Sequence, residues 1–241
     1  IRDSLLPDPG TPTRLMDSQL PDNEEITEYI KSRRNKSAPG PDAISFVVFK
    51  KCKKIRSVLC NIVRSIFAQF AVPDLDCVAI KILIPKGGSN NLNDFRYLTL
   101  FNTTLKTVMG VWSKRVRRFM LTNGYFNTAV QKGFLPKISG CLEHNQTVID
   151  ILRRKLEDDK DAYIVWMDLQ NAFGSIKHNL MCAALRYYGV PEEMVALLMS
   201  LYRNCSVKVK TSSWTTNAFR IEQGSLPVSY THLRAHETDR Y

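Results

Sequence analysis

The run Tyr163-Ile-Val-Trp-Met167 constrains this chain more than any other stretch, because its five apolar residues end abruptly at Asp168. A strand covered on both faces reads this way, whereas a half-exposed strand alternates. A carboxylate at the exit of such a strand must be met by a cation or by hydrogen bonds, since burying it unpaired costs on the order of several kcal/mol. On residue type alone, Asp168 serves equally well as a metal ligand or as the N-cap of a helix beginning near Asn171. Phe173, five residues on, places an aromatic side chain where it can lie beside whatever a metal at Asp168 holds.

Periodicity supplies the surroundings. Glu24 to Arg34 suits a short helix, and Ser37-Ala-Pro-Gly-Pro-Asp42 a loop whose Asp42 can cap the next helix. Val48, Cys52, Ile55, Leu59, Ile62, Ile66 and Phe70 recur at three- and four-residue steps, which predicts one long amphipathic helix. Its start is basic, with Lys50, Lys51, Lys53, Lys54 and Arg56. Val78 to Ile84 alternates as a strand and stops at Pro85-Lys86-Gly87-Gly88, and Asp94 to Phe101 is strand-like. Thr104 opens a second long helix through Val108, Trp112, Val116 and Phe119, carrying Lys106, Lys114, Arg115, Arg117 and Arg118. A further helix runs from about Asn145 to Glu157. Phe173, Ile176, Leu180, Ala184 and Tyr187 then predict one helix ending at Gly189, and Pro191 suits the first turn of the next, to about Arg203. Ser206–Lys210 and Ala218–Glu222 read as a hairpin. Trp112 and Trp166 fall in apolar periods and read as core. The mixture is of the α+β class.

Charge and cysteines narrow the setting. Among 241 residues, 34 Lys+Arg stand against 23 Asp+Glu, and 34 − 23 leaves a net charge of +11, which favours a polyanionic partner. No apolar run is long enough to span a bilayer, so no membrane partner is expected. The six cysteines are scattered without a C-x-x-C pair, as in reduced thiols of an intracellular protein. Cys141 and His144 have C-x-x-H spacing, but no second pair completes a zinc site. Ile1-Arg2-Asp3-Ser4 reads as the interior of a longer polypeptide. Residues Val228 to Thr238 resemble translated sequencing adapter, so the native frame is expected to stop near Pro227.

Asp168-Leu-Gln-Asn-Ala-Phe-Gly-Ser-Ile-Lys-His178 resembles the first catalytic block of reverse transcriptases, especially those of non-LTR (LINE-type) retrotransposons. Four other blocks keep that family's order. Ser37–Asp42 resembles the block that opens the fingers. Ile84-Pro-Lys-Gly-Gly88 with Asp94-Phe-Arg-Tyr-Leu-Thr-Leu100 resembles the nucleotide-gripping block. Gln131-Lys-Gly-Phe134 with Gly140-Cys-Leu-Glu-His-Asn145 resembles the insertion of site-specific elements. Gln223-Gly-Ser225 begins a block that in the family reads Gln-Gly-Ser-Pro-Leu-Ser-Pro.

The resemblance implies a right-hand polymerase fold with the fingers and part of the palm. Residues 1–36 would be a lead-in and fingers extension, 37–160 fingers, 161–227 partial palm and 228–241 a non-native tail. It implies an RNA-directed DNA polymerase that extends a DNA primer with dNTPs on an RNA template, in a nuclear setting. Asp168 would bridge two Mg²⁺ ions, joined by the Leu169 carbonyl. Lys86 and Arg96 would hold the triphosphate, although on residue type alone both read first as solvated surface charges. Phe173 would exclude a ribose 2′-OH, and Gln223 and Gly224 would line the nucleotide and template. The two basic helix faces would track phosphates.

Departures from the family are specific. Gly174 stands where Asp is usual, Tyr97 where Pro follows the arginine, and no aspartate pair comes after Asp168. This chain alone is therefore expected to be inactive. Two alternatives share these residues: an intron-type reverse transcriptase and maturase, and a non-catalytic RNA-binding module that keeps the basic fingers. Sequencing the native locus across Pro227 is expected to give a frame that departs from Val228–Thr238; an uninterrupted match would refute the adapter reading.

Overall fold

The computed structural model describes residues 8–74, 77–85, 95–133, 139–169 and 172–224. Its first helix, α1, spans Asn23–Ser32. Asp22 opens it, its Oδ1 accepting from the Glu25 backbone N–H at 2.7 Å and so satisfying one orphan donor of the first turn. Glu24 and Glu25 sit in that turn and Lys31 in the last, the order that the helix dipole favours. Ile26 and Ile30 are fully buried on one face.

The long helix expected from Val48 to Phe70 is two, α2 (Phe46–Lys51) and α3 (Lys53–Gln69). Cys52 between them is extended, at φ −103° and ψ 106°. The break has a local cause. Arg56 Nη1 donates to the Phe49 and Lys50 carbonyls at 3.2 and 3.1 Å, acceptors that an unbroken helix would have given to its next turn. Asp42 does not cap α2; its Oδ1 accepts from the Ile44 N–H at 3.2 Å within the loop. The buried face of α3 is Leu59, Cys60, Val63, Ile66 and Phe67, which leaves Ile55 and Ile62 exposed at its margin.

Helix α4 (Thr103–Thr122) runs through the core. Asn102 caps it, its Oδ1 accepting from Leu105 N–H at 2.7 Å. Leu105, Val108, Met109, Trp112 and Phe119 are buried, and Trp112 Nε1 donates to the Met194 carbonyl at 2.9 Å. Arg115 lies among them, only 6% exposed. Its Nε and Nη2 donate to the two Glu25 carboxylate oxygens at 3.0 and 2.6 Å, while Nη1 meets the Asp17 and Gln19 carbonyls. The guanidinium also lies 5.7 Å from the Phe67 ring centre. One side chain of the expected phosphate-tracking face is thus spent on joining α1, α3, α4 and the chain leading into α1.

Helices α7 (His178–Tyr187) and α8 (Glu192–Asn204) pack together, and α8 buries Met194, Val195, Leu197, Leu198, Leu201 and Tyr202. The segment after α3 is fixed to α8: Val72 N–H donates to Ser200 Oγ at 2.9 Å, and the Val72 carbonyl accepts from Asn204 Nδ2 at 2.8 Å. Strands β1 (Val78–Pro85), β2 (Phe95–Leu100), β3 (Ser206–Lys210) and β4 (Phe219–Arg220) form a mixed sheet of order β2-β1-β3-β4. β1 is antiparallel to β2 and parallel to β3, so a crossover through the helices joins the two parallel strands. Ala79, Thr99 and Val207 bury one face of this sheet. The architecture is mixed α and β around a small mixed sheet.

The chain divides into two compact units, Ile1–Tyr125 with Phe173–Val228, and Phe126–Ala172 with Ser229–Tyr241. The second contains α5 (Gly140–Glu157), whose Leu142, Ile149, Leu152 and Leu156 are exposed. The run Tyr163–Met167 also lies there, and it is not the buried strand expected. Tyr163, Val165, Trp166 and Met167 are 77–91% exposed, and no described strand pairs with the run. A strand needs a neighbour for its N–H and C=O groups, and apolarity alone does not supply one. Trp166 is accordingly not core. Cys52, Cys60, Cys182 and Cys205 are free thiols, all but Cys52 buried, Cys77 is buried too, and burial pushes the Cys205 thiol up to about 12.

Arg115→Ala is expected to lower the unfolding free energy by about 3 kcal/mol, because it leaves the Glu25 carboxylate facing the core unpaired. Lys114→Ala removes an exposed ion pair to Glu28 and is expected to cost under about 0.5 kcal/mol. Urea denaturation of the two variants checks the contrast.

Candidate functional site

The single helix expected from Phe173 to Tyr187 is interrupted, and the interruption is the most informative feature of the molecule. Helix α6 covers Ala172–Ser175, and α7 begins at His178. At the gap the Ile176 carbonyl accepts from the Gly224 N–H at 2.8 Å, and Lys177 bridges Gln223 in antiparallel fashion. Leu180 N–H turns to the Lys177 carbonyl at 3.0 Å instead of completing a helical bond to Ile176. The turn at 223–224 has taken a helix's acceptor.

Gly224 is required there. Its φ is +100°, and a Cβ on it would lie 3.1 Å from the Gly174 oxygen and 3.3 Å from the Gly174 Cα. His178 approaches from the other side, with Nε2 at 3.2 Å from the Gly224 carbonyl oxygen. The His178 ring packs on Tyr202 at 4.1 Å between centroids, and the Tyr202 hydroxyl donates to Met181 Sδ at 3.7 Å. Two sequence blocks some fifty residues apart therefore form one piece, Gly174–His178 against Gln223–Gly224. Phe173 is half-buried on α6 and Gln223 is exposed.

A second junction joins the loop 37–42 to the corner between β2 and α4. A Cβ on Gly40 would lie 2.2 Å from the Phe101 oxygen and 2.4 Å from the Asn102 nitrogen, so backbone rests on backbone. Lys106 Nζ donates to the Ala38 carbonyl at 2.6 Å, and Thr103 Oγ1 donates to the Ile44 carbonyl. Burial holds Lys106 below the usual lysine range, opposed by the Asp42 carboxylate.

The remaining candidates fall in separate places. Lys86 lies outside the described residues; β1, which leads to it, ends at Pro85 opposite Phe95. Arg96 pairs with Ile84 through its backbone, and its side chain lies outside the described part. Ser225 and the adapter-like tail lie outside it too. Asp168 and Leu169 belong to the second unit, both exposed, whereas Phe173, Gln223 and Gly224 belong to the first. Asp168 and the Leu169 carbonyl are oxygen donors of the right hardness for Mg²⁺. Among the described residues, however, no group of three or more His, Cys, Asp or Glu converges, so this donor set does not make a two-ion centre. His144 is exposed and has no such group around it among those residues.

The basic faces also sort themselves. Lys50 Nζ is held by the Arg33 carbonyl and by Asn35 Oδ1, Arg56 by α2's carbonyls, Lys114 by Glu28 and Arg115 by Glu25. Lys51, Lys53, Lys54 and Arg118 are exposed to solvent. No described helix is long and apolar enough to cross a membrane.

Comparison with known proteins points the same way as the blocks. The chain is 26% identical over 187 residues, 76% of its length, to the Retrovirus-related Pol polyprotein from type-2 retrotransposable element R2DM of Drosophila melanogaster. Pol polyproteins from type-1 retrotransposable element R2 of Nasonia vitripennis and Popillia japonica are 27% and 25% identical over 84% and 70% of the chain. No family model matches. The matched region spans 17–22% of these relatives, about a fifth of their length. The chain is thus similar to a part of R2 retrotransposon Pol polyproteins.

His178 and Gly174 gained their importance only in three dimensions. The sequence places His178 in its block but gives no signal that it meets residue 224.

Gly40→Ala is expected to cost about 2 kcal/mol through overpacking against rigid backbone. Gly224→Ala is expected to cost about 1–3 kcal/mol, from a side chain forced to positive φ. Thermal and urea unfolding read both.

Proposed function

We propose that the chain is the fingers and part of the palm of a non-LTR retrotransposon reverse transcriptase, of the right-hand polymerase fold. The observation that carries this reading is the pairing of blocks distant in sequence: Gly174–His178 with Gln223–Gly224, and Gly40 with Phe101–Asn102. A polymerase needs its nucleotide-selecting and template-side segments held at fixed spacing, and backbone-on-backbone contacts do that better than flexible side chains.

In this reading Phe173 excludes a 2′-OH, Gln223 and Gly224 line the template side, and Lys86 and Arg96 grip the triphosphate of a dNTP. The exposed Lys51, Lys53 and Lys54 contact phosphates of the RNA template or DNA primer. Asp168 and Leu169 contribute oxygen donors to the metal centre, and further carboxylates are needed to complete it. Nucleotidyl transfer is therefore assigned to the larger polyprotein and nucleic-acid binding to this region. A nuclear setting belongs to the same proposal, with the buried free thiols in its support.

The absence of any group of three or more His, Cys, Asp or Glu among the described residues favours a second reading, a non-catalytic RNA-binding module. RNA binding is expected in both, and substituting Lys51, Lys53 and Lys54 together by Gln is expected to flatten the slope of log affinity against log salt by about 2. Primer extension by this chain is expected to give no product. Mg²⁺-dependent synthesis abolished by Asp168→Ala would overturn that expectation and dismiss the binding-module reading.

A further inference from the structure

We propose that His178 is a positioning residue for the Gln223–Gly224 turn: its Nε2–H donates to the Gly224 carbonyl while its ring is held against Tyr202. The Gly224 oxygen only accepts, so at 3.2 Å the Nε2 atom carries a proton. Gly224 is buried, and a buried carbonyl needs a donor. A glycine at φ +100° also has no side chain to define its place. Two bonds do so instead, its N–H to the Ile176 carbonyl at 2.8 Å and its carbonyl to His178.

The imidazole is itself referenced to the core. It lies 4.1 Å from the Tyr202 ring at 37°, and Tyr202 is 6% exposed on α8, beside the fully buried Leu201. Position therefore passes from α8 through Tyr202 and His178 to the turn. Gly224 in turn rests on Gly174, the neighbour of Phe173. On the polymerase reading, on which this consequence rests, His178 sets the spacing between the nucleotide-selecting Phe173 and the template-side Gln223. The clamp itself is a property of this chain whatever reaction it serves.

The test uses the 241-residue chain and no catalytic readout, so failure of the clamp and failure of the polymerase reading are separable. Nitrogen NMR of the wild-type imidazole is expected to show the proton on Nε2. His178→Phe keeps an aromatic ring on Tyr202 but removes the donor, and the Gly224 amide is expected to exchange about tenfold faster. Amides of α4 and α8 are expected to keep their wild-type rates. His178→Gln returns an amide donor near the same position and is expected to restore most of the protection. A bare Nε2, unchanged Gly224 exchange in His178→Phe, or equal acceleration throughout α4 and α8 would each overturn the proposal.

Discussion

A buried guanidinium organises the larger unit. Taking Arg115 out of water carries a desolvation cost that only good geometry offsets, and its nitrogens meet both Glu25 oxygens and two backbone carbonyls. Neutral core residues in its place would fill the space without specifying which carbonyls of residues 17–19 come to rest there. The same pairing removes Arg115 from the set of cations able to meet a phosphate. A basic helix face is thus divided: one member fixes the fold, Lys114 pairs on the surface, and Arg118 stays in solvent.

Several elements were legible in the sequence from their residue period. The alternation of Val78 to Ile84 became β1, Ser206–Lys210 became β3, and the apolar steps from Thr104 became α4; period and burial coincide in β3 and α4, whereas in β1 Ala79 is the buried residue. Three readings failed for one reason. The breaks at Cys52 and at Ile176–Lys177, and the run Tyr163–Met167 without a described partner strand, are decided by where backbone groups find partners. Arg56 diverts two carbonyls at the first and Gly224 diverts one at the second. An apolar period records which side chains avoid water, and it holds no record of a donor arriving from six or fifty residues away.

The candidate site divides in the same manner. Gly40, Gly174 and Gly224 stand in recognisable blocks, yet what each one touches depends on a distant segment, Phe101–Asn102 for Gly40 and the other block's glycine for the rest. Block order indicated which segments belong together. The three-dimensional contacts give the reason for two of the glycines: a Cβ on Gly40 would collide with the Phe101–Asn102 backbone, and Gly224 combines a positive φ with close approach to Gly174. His178 illustrates the limit most clearly, since nothing in its neighbours predicts an acceptor at residue 224.

Asp168 sits differently. It is exposed and lies in the unit that lacks the sheet, and a hydrated Mg²⁺ meeting a single carboxylate keeps most of its waters. Such contact is weak and leaves the ion free of a defined geometry, whereas in-line transfer needs cations held by converging ligands. The first unit, by contrast, holds Gly174, His178 and Gly224 through backbone bonds and packing that need no ion. Packed backbone thus fixes the junction of Gly174–His178 with Gly224, whereas around Asp168 no group of three or more His, Cys, Asp or Glu gathers among the described residues.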